Sequence, residues 1–169
     1  MRRLLLAPMA VAALATGCST FDTDVVARVA DSELTTDGLD DLTGALATDS
    51  PEGDAGVARQ VIGVWARIEA VKWAFERDGI EVTDDDRAAA AESLSDPAAF
   101  PDFDVLGADV QAELADWQAT LDVLGDDLEY GQQAVAEADT WVSGRYGQVS
   151  PDGSGEIVAL ALPTAAPTG

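Results

Sequence analysis

The sequence predicts a mainly α-helical domain with a minor pair of β-strands. Three observations carry that reading. Apolar residues recur at helical spacing in five windows. These windows are punctuated by capping threonines, glycines and prolines. Two short apolar runs, one near each end, read as strands. With 47% apolar residues and four Trp in 169 positions, the chain has enough material for one domain with its own core.

The first strand begins at Val25, where Val25, Ala27 and Val29 alternate with Val26, Arg28 and Ala30. Asp31-Ser32 suits a turn. Thr35 or Thr36 caps a helix striped by Leu39, Leu42 and Leu46, and residues 47–56 form a loop. The longest helix spans about 55–77 and stops at Gly79, a left-handed cap. It carries two apolar stripes, one through Val57, Val61, Trp65, Ile68 and Phe75, the other through Ile62, Ala66 and Trp73. A helix apolar on two faces is either buried on both or leaves one face open as a binding groove. In the groove reading, Ile62, Trp65, Trp73 and Phe75 are the candidate wall.

Thr83 caps a third helix over 84–94, with Asp84, Asp85 and Asp86 placed where they favour the helix dipole. A fourth helix over 109–124 carries Val110, Leu114, Trp117, Leu121 and Leu124, and ends at Gly125. A fifth is expected over 127–142, with Tyr130, Ala134, Ala138 and Trp141 on one face. A turn-rich loop leads to the final strand, 156–162, and residues 163–169 read as a polar tail. Two terminal strands thus bracket five helices. A lone strand leaves its backbone groups unpaired, so these two are expected to pair with each other.

The start of the chain has a different character. Arg2 and Arg3 precede the uncharged run 4–15, and Thr16 and Gly17 follow it. Positive, apolar and small residues in that order read as a secretory signal over 1–17. The run is shorter than the ~20 residues a membrane span needs. Ala15-Thr16-Gly17-Cys18 resembles the bacterial lipobox. That resemblance implies cleavage before Cys18 and a diacylglycerol on its sulfur, usually with a further acyl chain on the new amino terminus. Two or more chains anchor firmly where one alone is marginal. The mature protein would then sit on the extracytoplasmic face of the cell membrane, with 18–24 as a short tether and 25–162 as the domain.

Charge and residue inventory exclude several functions. Lys and Arg total 9 against 32 Asp and Glu. Without Arg2 and Arg3 the balance is 7 to 32, near −25. Such a surface disfavours nucleic acid and anionic lipid. The chain has no His and one Cys, so the usual general base and a free thiol nucleophile are missing, and no catalytic residue is assigned. His- or Cys-based zinc sites are excluded for the same reason. Asp102, Asp104, Gly107 and Glu113 fall at four EF-hand positions, but Leu106 and Val110 occupy two that should supply oxygen. Pro101 also breaks the incoming helix, so a solvated acidic loop is expected and no metal site is assigned.

The organisation resembles the SurA-type chaperone N-terminal domain. Val29 to Thr35 is similar to that family's strand, turn and Ile-Thr opening, with Asp31 where the family has Gly. The run from Gly79 through Val82, Thr83 and Asp84 is similar to its Gly-x-x-Val-Thr-Asp turn. Arg145, Tyr146 and Gly147 match a turn that precedes the last strand in actinobacterial members, with Gly144 in place of a proline. The resemblance implies a holdase-type chaperone that binds unfolded exported polypeptides without catalysis or cofactor. The parvulin prolyl isomerase module of some members has no counterpart here. The alternative is an accessory lipoprotein docking one cell-envelope partner. Arg145 and Tyr146 are expected as a structural turn, or as client contacts.

Overall fold

The computed structural model describes residues 24–46, 54–150 and 155–159. The lipobox residues Ala15, Thr16 and Gly17, the anchor Cys18 and the tail 163–169 lie outside the described residues. The fold is mainly helical with small antiparallel sheets. Strand β1 (Val25–Val29) and strand β2 (Ser32–Thr35) form a hairpin, followed by α1 (Thr36–Leu46), α2 (Asp54–Asp78) and α3 (Asp84–Leu94). A 3-10 turn (Phe103–Val105) precedes α4 (Ala108–Leu124) and α5 (Leu128–Glu137). Strands β3 (Thr140–Val142), β4 (Gln148–Val149) and β5 (Ile157–Val158) complete the order.

The strands do not pair as expected. β1 is the centre of a three-stranded antiparallel sheet, between β2 and β3, while β5 pairs with β4. The hairpin turn falls one residue earlier than expected, on Ala30-Asp31. Ala30 takes the left-handed conformation (φ 49°), one residue before Asp31, which stands where the resembled family has Gly. The fifth helix is also shorter. It stops at Glu137, and Ala138 is already extended. Trp141 therefore belongs to β3, where it lies opposite Arg28 and is exposed. Two ladder partners on β1 outcompete a continued helix. Ala27 aligns with Val142 and Val29 with Thr140, and β-branched residues suit that pleated surface.

The core sits where α2 meets everything else. Val26, Ala27 and Val29 of β1 and Leu39 and Leu42 of α1 pack with Ile62 and Trp65 of α2 and Leu114 and Trp117 of α4. A bulge between Val25 and Ala27 lets consecutive β1 residues turn inward. Local signals hold at α3. Thr83 accepts from the Asp86 amide while Asp86 accepts from the Thr83 amide, a complete capping box. Gly79 ends α2 at φ 72°.

A polar node ties α2, α3 and α4 together. Asp116 of α4 accepts from Arg87 Nε (2.7 Å) and pairs with Lys72 Nζ (2.9 Å), which also donates to the buried Glu69 (2.7 Å). Burial opposes charge on both Lys72 and Asp116, but the bonds outweigh it. They push the Lys72 ammonium up to about 12 and hold the Asp116 carboxyl below its ordinary range.

Candidate functional site

Three of the four residues expected to line a groove are in the core. Ile62 is 0% exposed, and Trp65 and Phe75 are buried with it. Trp73 is half-buried, with the Arg77 guanidinium 5.0 Å above its ring. The two-stripe pattern of α2 thus reports burial on both faces, because the sheet, α1 and α4 cover part of the helix while α5 and β5 cover more. The expected wall is corrected on that ground for Ile62, Trp65 and Phe75, while Trp73 stays partly exposed.

An open cleft lies beside the first apolar stripe of α2 and shares Ile68 with it. One wall is Val64, Arg67, Ile68 and Val71, spaced as a single helical stripe. The facing wall is Leu128, Gly131, Gln132 and Val135 of α5, with the same spacing. Leu121 and Leu124 at the end of α4 close one side. The cleft encloses about 650 Å³. Most of its lining is aliphatic, and Leu128 is 74% exposed, unusual for a leucine with an apolar surface beside it. Gly131 faces Leu124 across the cleft, where a Cβ would sit in ordinary contact with it at 3.5 Å.

Contacts at the far end of α2 position α5. Tyr130 stacks against Phe75 with ring centroids 5.6 Å apart, and its hydroxyl donates to Asp78 (2.9 Å). Arg77 bridges Asp78 and Glu137. The Arg77 and Tyr130 hydrogen bonds hold the Asp78 carboxyl below its ordinary range. Bonds from Gln133 and Arg77 do the same for Glu137.

The other candidates take structural positions. Arg145 donates to Thr36 Oγ1 (3.0 Å) and to the Tyr146 hydroxyl (2.7 Å), stacking over that ring and tying the β3–β4 turn to the start of α1. Asp102 sits in the left-handed region and Asp104 in the 3-10 turn, while Glu113 accepts the Trp117 indole N–H (2.8 Å). Among the described residues no set of three or more acidic, His or Cys side chains converges as a metal site, and no helix is long and apolar enough to cross a membrane.

Sequence reasoning missed the α4–α5 contribution. Its signal was present: Leu121, Leu124 and Leu128 continue an apolar face through the Gly125 helix stop. Compared with known families, curated proteins and solved structures, the chain matches no family model, no curated protein and no solved structure.

Proposed function

We propose that this chain is a membrane-anchored extracytoplasmic lipoprotein that holds unfolded exported polypeptides by short aliphatic segments, without catalysis. The observation that carries the reading is the open aliphatic cleft between α2 and α5, with Leu121 and Leu128 exposed at its mouth. Two or three client side chains buried there contribute roughly 5 kcal/mol before ordering costs. That gross figure corresponds to a Kd of about 0.2 mM, and the ordering costs move it toward millimolar, so each segment is held weakly and reversibly. The acidic surface keeps a loaded complex soluble and repels other copies. Cys18 carries the anchor in this reading, supported by the order of residues 1–18.

The test is aggregation of two unrelated refolding clients, one basic and one near-neutral, with and without the protein. Suppression of both at near-stoichiometric ratio, surviving salt and lost in Leu121→Asp/Leu128→Asp, is the expected result. A double variant that suppresses as well as the native chain sinks the cleft assignment. For the anchor, Cys18→Ser is expected to leave the membrane fraction, and its retention there refutes lipidation.

A further inference from the structure

We infer that the preferred occupant of the cleft is a short aliphatic segment with basic residues at one end, bound with that end at the α4–α5 turn. This rests on the holding function proposed above and names its substrate class. The length follows from the wall. Val64 to Val71 covers two helical turns, about 10 Å of axis. An extended chain rising ~3.3 Å per residue places three or four residues along it.

Charge sets the polarity. The turn that brings Leu124 and Leu128 to the cleft is Gly125-Asp126-Asp127, with Asp122 before it and Glu129 after it. All four carboxylates are exposed, and none has an ion pair among the described residues. Asp122 accepts from Gln118 and Asp127 caps α5, bonds that leave their charges uncompensated. Arg67 on α2 lies toward the other end of α5, beside Val135, since a Cβ at Gly155 would touch both side chains, and it has no ion pair among the described residues either. The cleft therefore runs from a strongly negative end to a single cation. A basic flank is attracted to the first and opposed by the second, which orients the segment. A second copy of this chain is a poor occupant, because both surfaces carry the same large negative charge.

The full chain, held in discs of zwitterionic lipid, would be titrated with three fluorescent peptides sharing one aliphatic core. One carries two lysines at one end, one carries two glutamates there, and one two serines. The lysine peptide is expected to bind ~fivefold more tightly than the serine peptide at low salt, the size two exposed ion pairs supply. Asp126→Asn/Glu129→Gln, which neutralises two of the four carboxylates, lowers that preference to about twofold. Asp85→Asn/Glu92→Gln, the same charge change at exposed positions on α3, leaves it in place. Equal binding of all three peptides overturns this inference alone. So does a lysine preference unchanged in the turn variant, or one that the α3 variant lowers equally. If none of the peptides binds, the holding function falls with it. Saturable binding of oleate with no peptide bound overturns both, in favour of a lipid site at Arg67.

Discussion

Truncating Ile62 separates a core residue from a cleft residue. The side chain is fully enclosed, so Ile62→Ala removes three carbons from a packed interior. At ~0.8 kcal/mol per buried methylene the transfer loss is about 2.4 kcal/mol. A cavity left unfilled adds up to ~2 kcal/mol more. The total, about 3–4 kcal/mol, lowers the melting temperature by roughly 6–15 °C for a domain of this length. Leu128→Ala removes the same number of carbons from a side chain that is 74% exposed, and its stability should stay within about 0.5 kcal/mol of native. Circular-dichroism melting gives the first comparison, and peptide titration well below either melting point gives the second. Ile62→Ala is expected to melt early yet bind normally while folded. Leu128→Ala is expected to melt normally and bind weakly. An Ile62→Ala variant that melts with the native protein and loses binding would refute the burial of Ile62 and restore it to an open wall.

Two glycines with positive φ predict unequal costs. Gly79 (φ 72°) has open space around it, so Gly79→Ala costs only the left-handed penalty, about 1 kcal/mol. Gly147 (φ 137°) would place a Cβ 2.2 Å from the Val158 carbonyl oxygen, so Gly147→Ala must push β4 and β5 apart. Its expected cost is ~3 kcal/mol or more, with faster amide exchange at Val158, and equal costs for the two variants would contradict the β4–β5 pairing. Asp116 predicts an acid limb. Its folded-state pKa is depressed, so its contribution is present above the ordinary Asp range and is lost as pH falls through the depressed value. Asp116→Asn should therefore be about 2–3 kcal/mol less stable than native near neutral pH and indistinguishable once the pH lies below the depressed Asp116 value. A gap in urea unfolding that persists in strong acid would assign the loss to packing instead. The Lys72 side of the same node acts in reverse, holding below pH ~10 and failing as the pH rises through about 12.

What the sequence made legible was local. Thr83 with Asp86, and Gly79 after the longest helix, are signals contained within a few residues, and the helices they bound appear where expected. The misreadings were all partner choices. Ala134, Ala138 and Trp141 continue helical spacing, yet Trp141 is a strand residue because β1 offers Val142 and Thr140 a ladder more than 100 residues away. The hairpin turn lacked its usual glycine or asparagine, since Ala30 itself takes the left-handed conformation. The stripes of α2 were visible, but no stripe says which neighbour covers it.

The cleft is a consequence of how differently its walls are secured. Asp116 binds α2, α3 and α4 through two cations and a buried carboxylate, in partly desolvated surroundings where removing one member is costly. Helix α5 is fastened to α2 by the buried Ala134, which packs with Val71, Ala74 and Phe75, by Tyr130 against Phe75, and by ion pairs around Arg77 that are nearly two-fifths exposed. Exposed pairs of that kind contribute little each. One wall is therefore tied by a partly desolvated polar node and the other by a small apolar cluster with exposed pairs around it. Moving α5 would expose Ala134, Val71 and Phe75 as well as break those pairs, so the space between the two helices is defined by apolar packing more than by its exposed ion pairs.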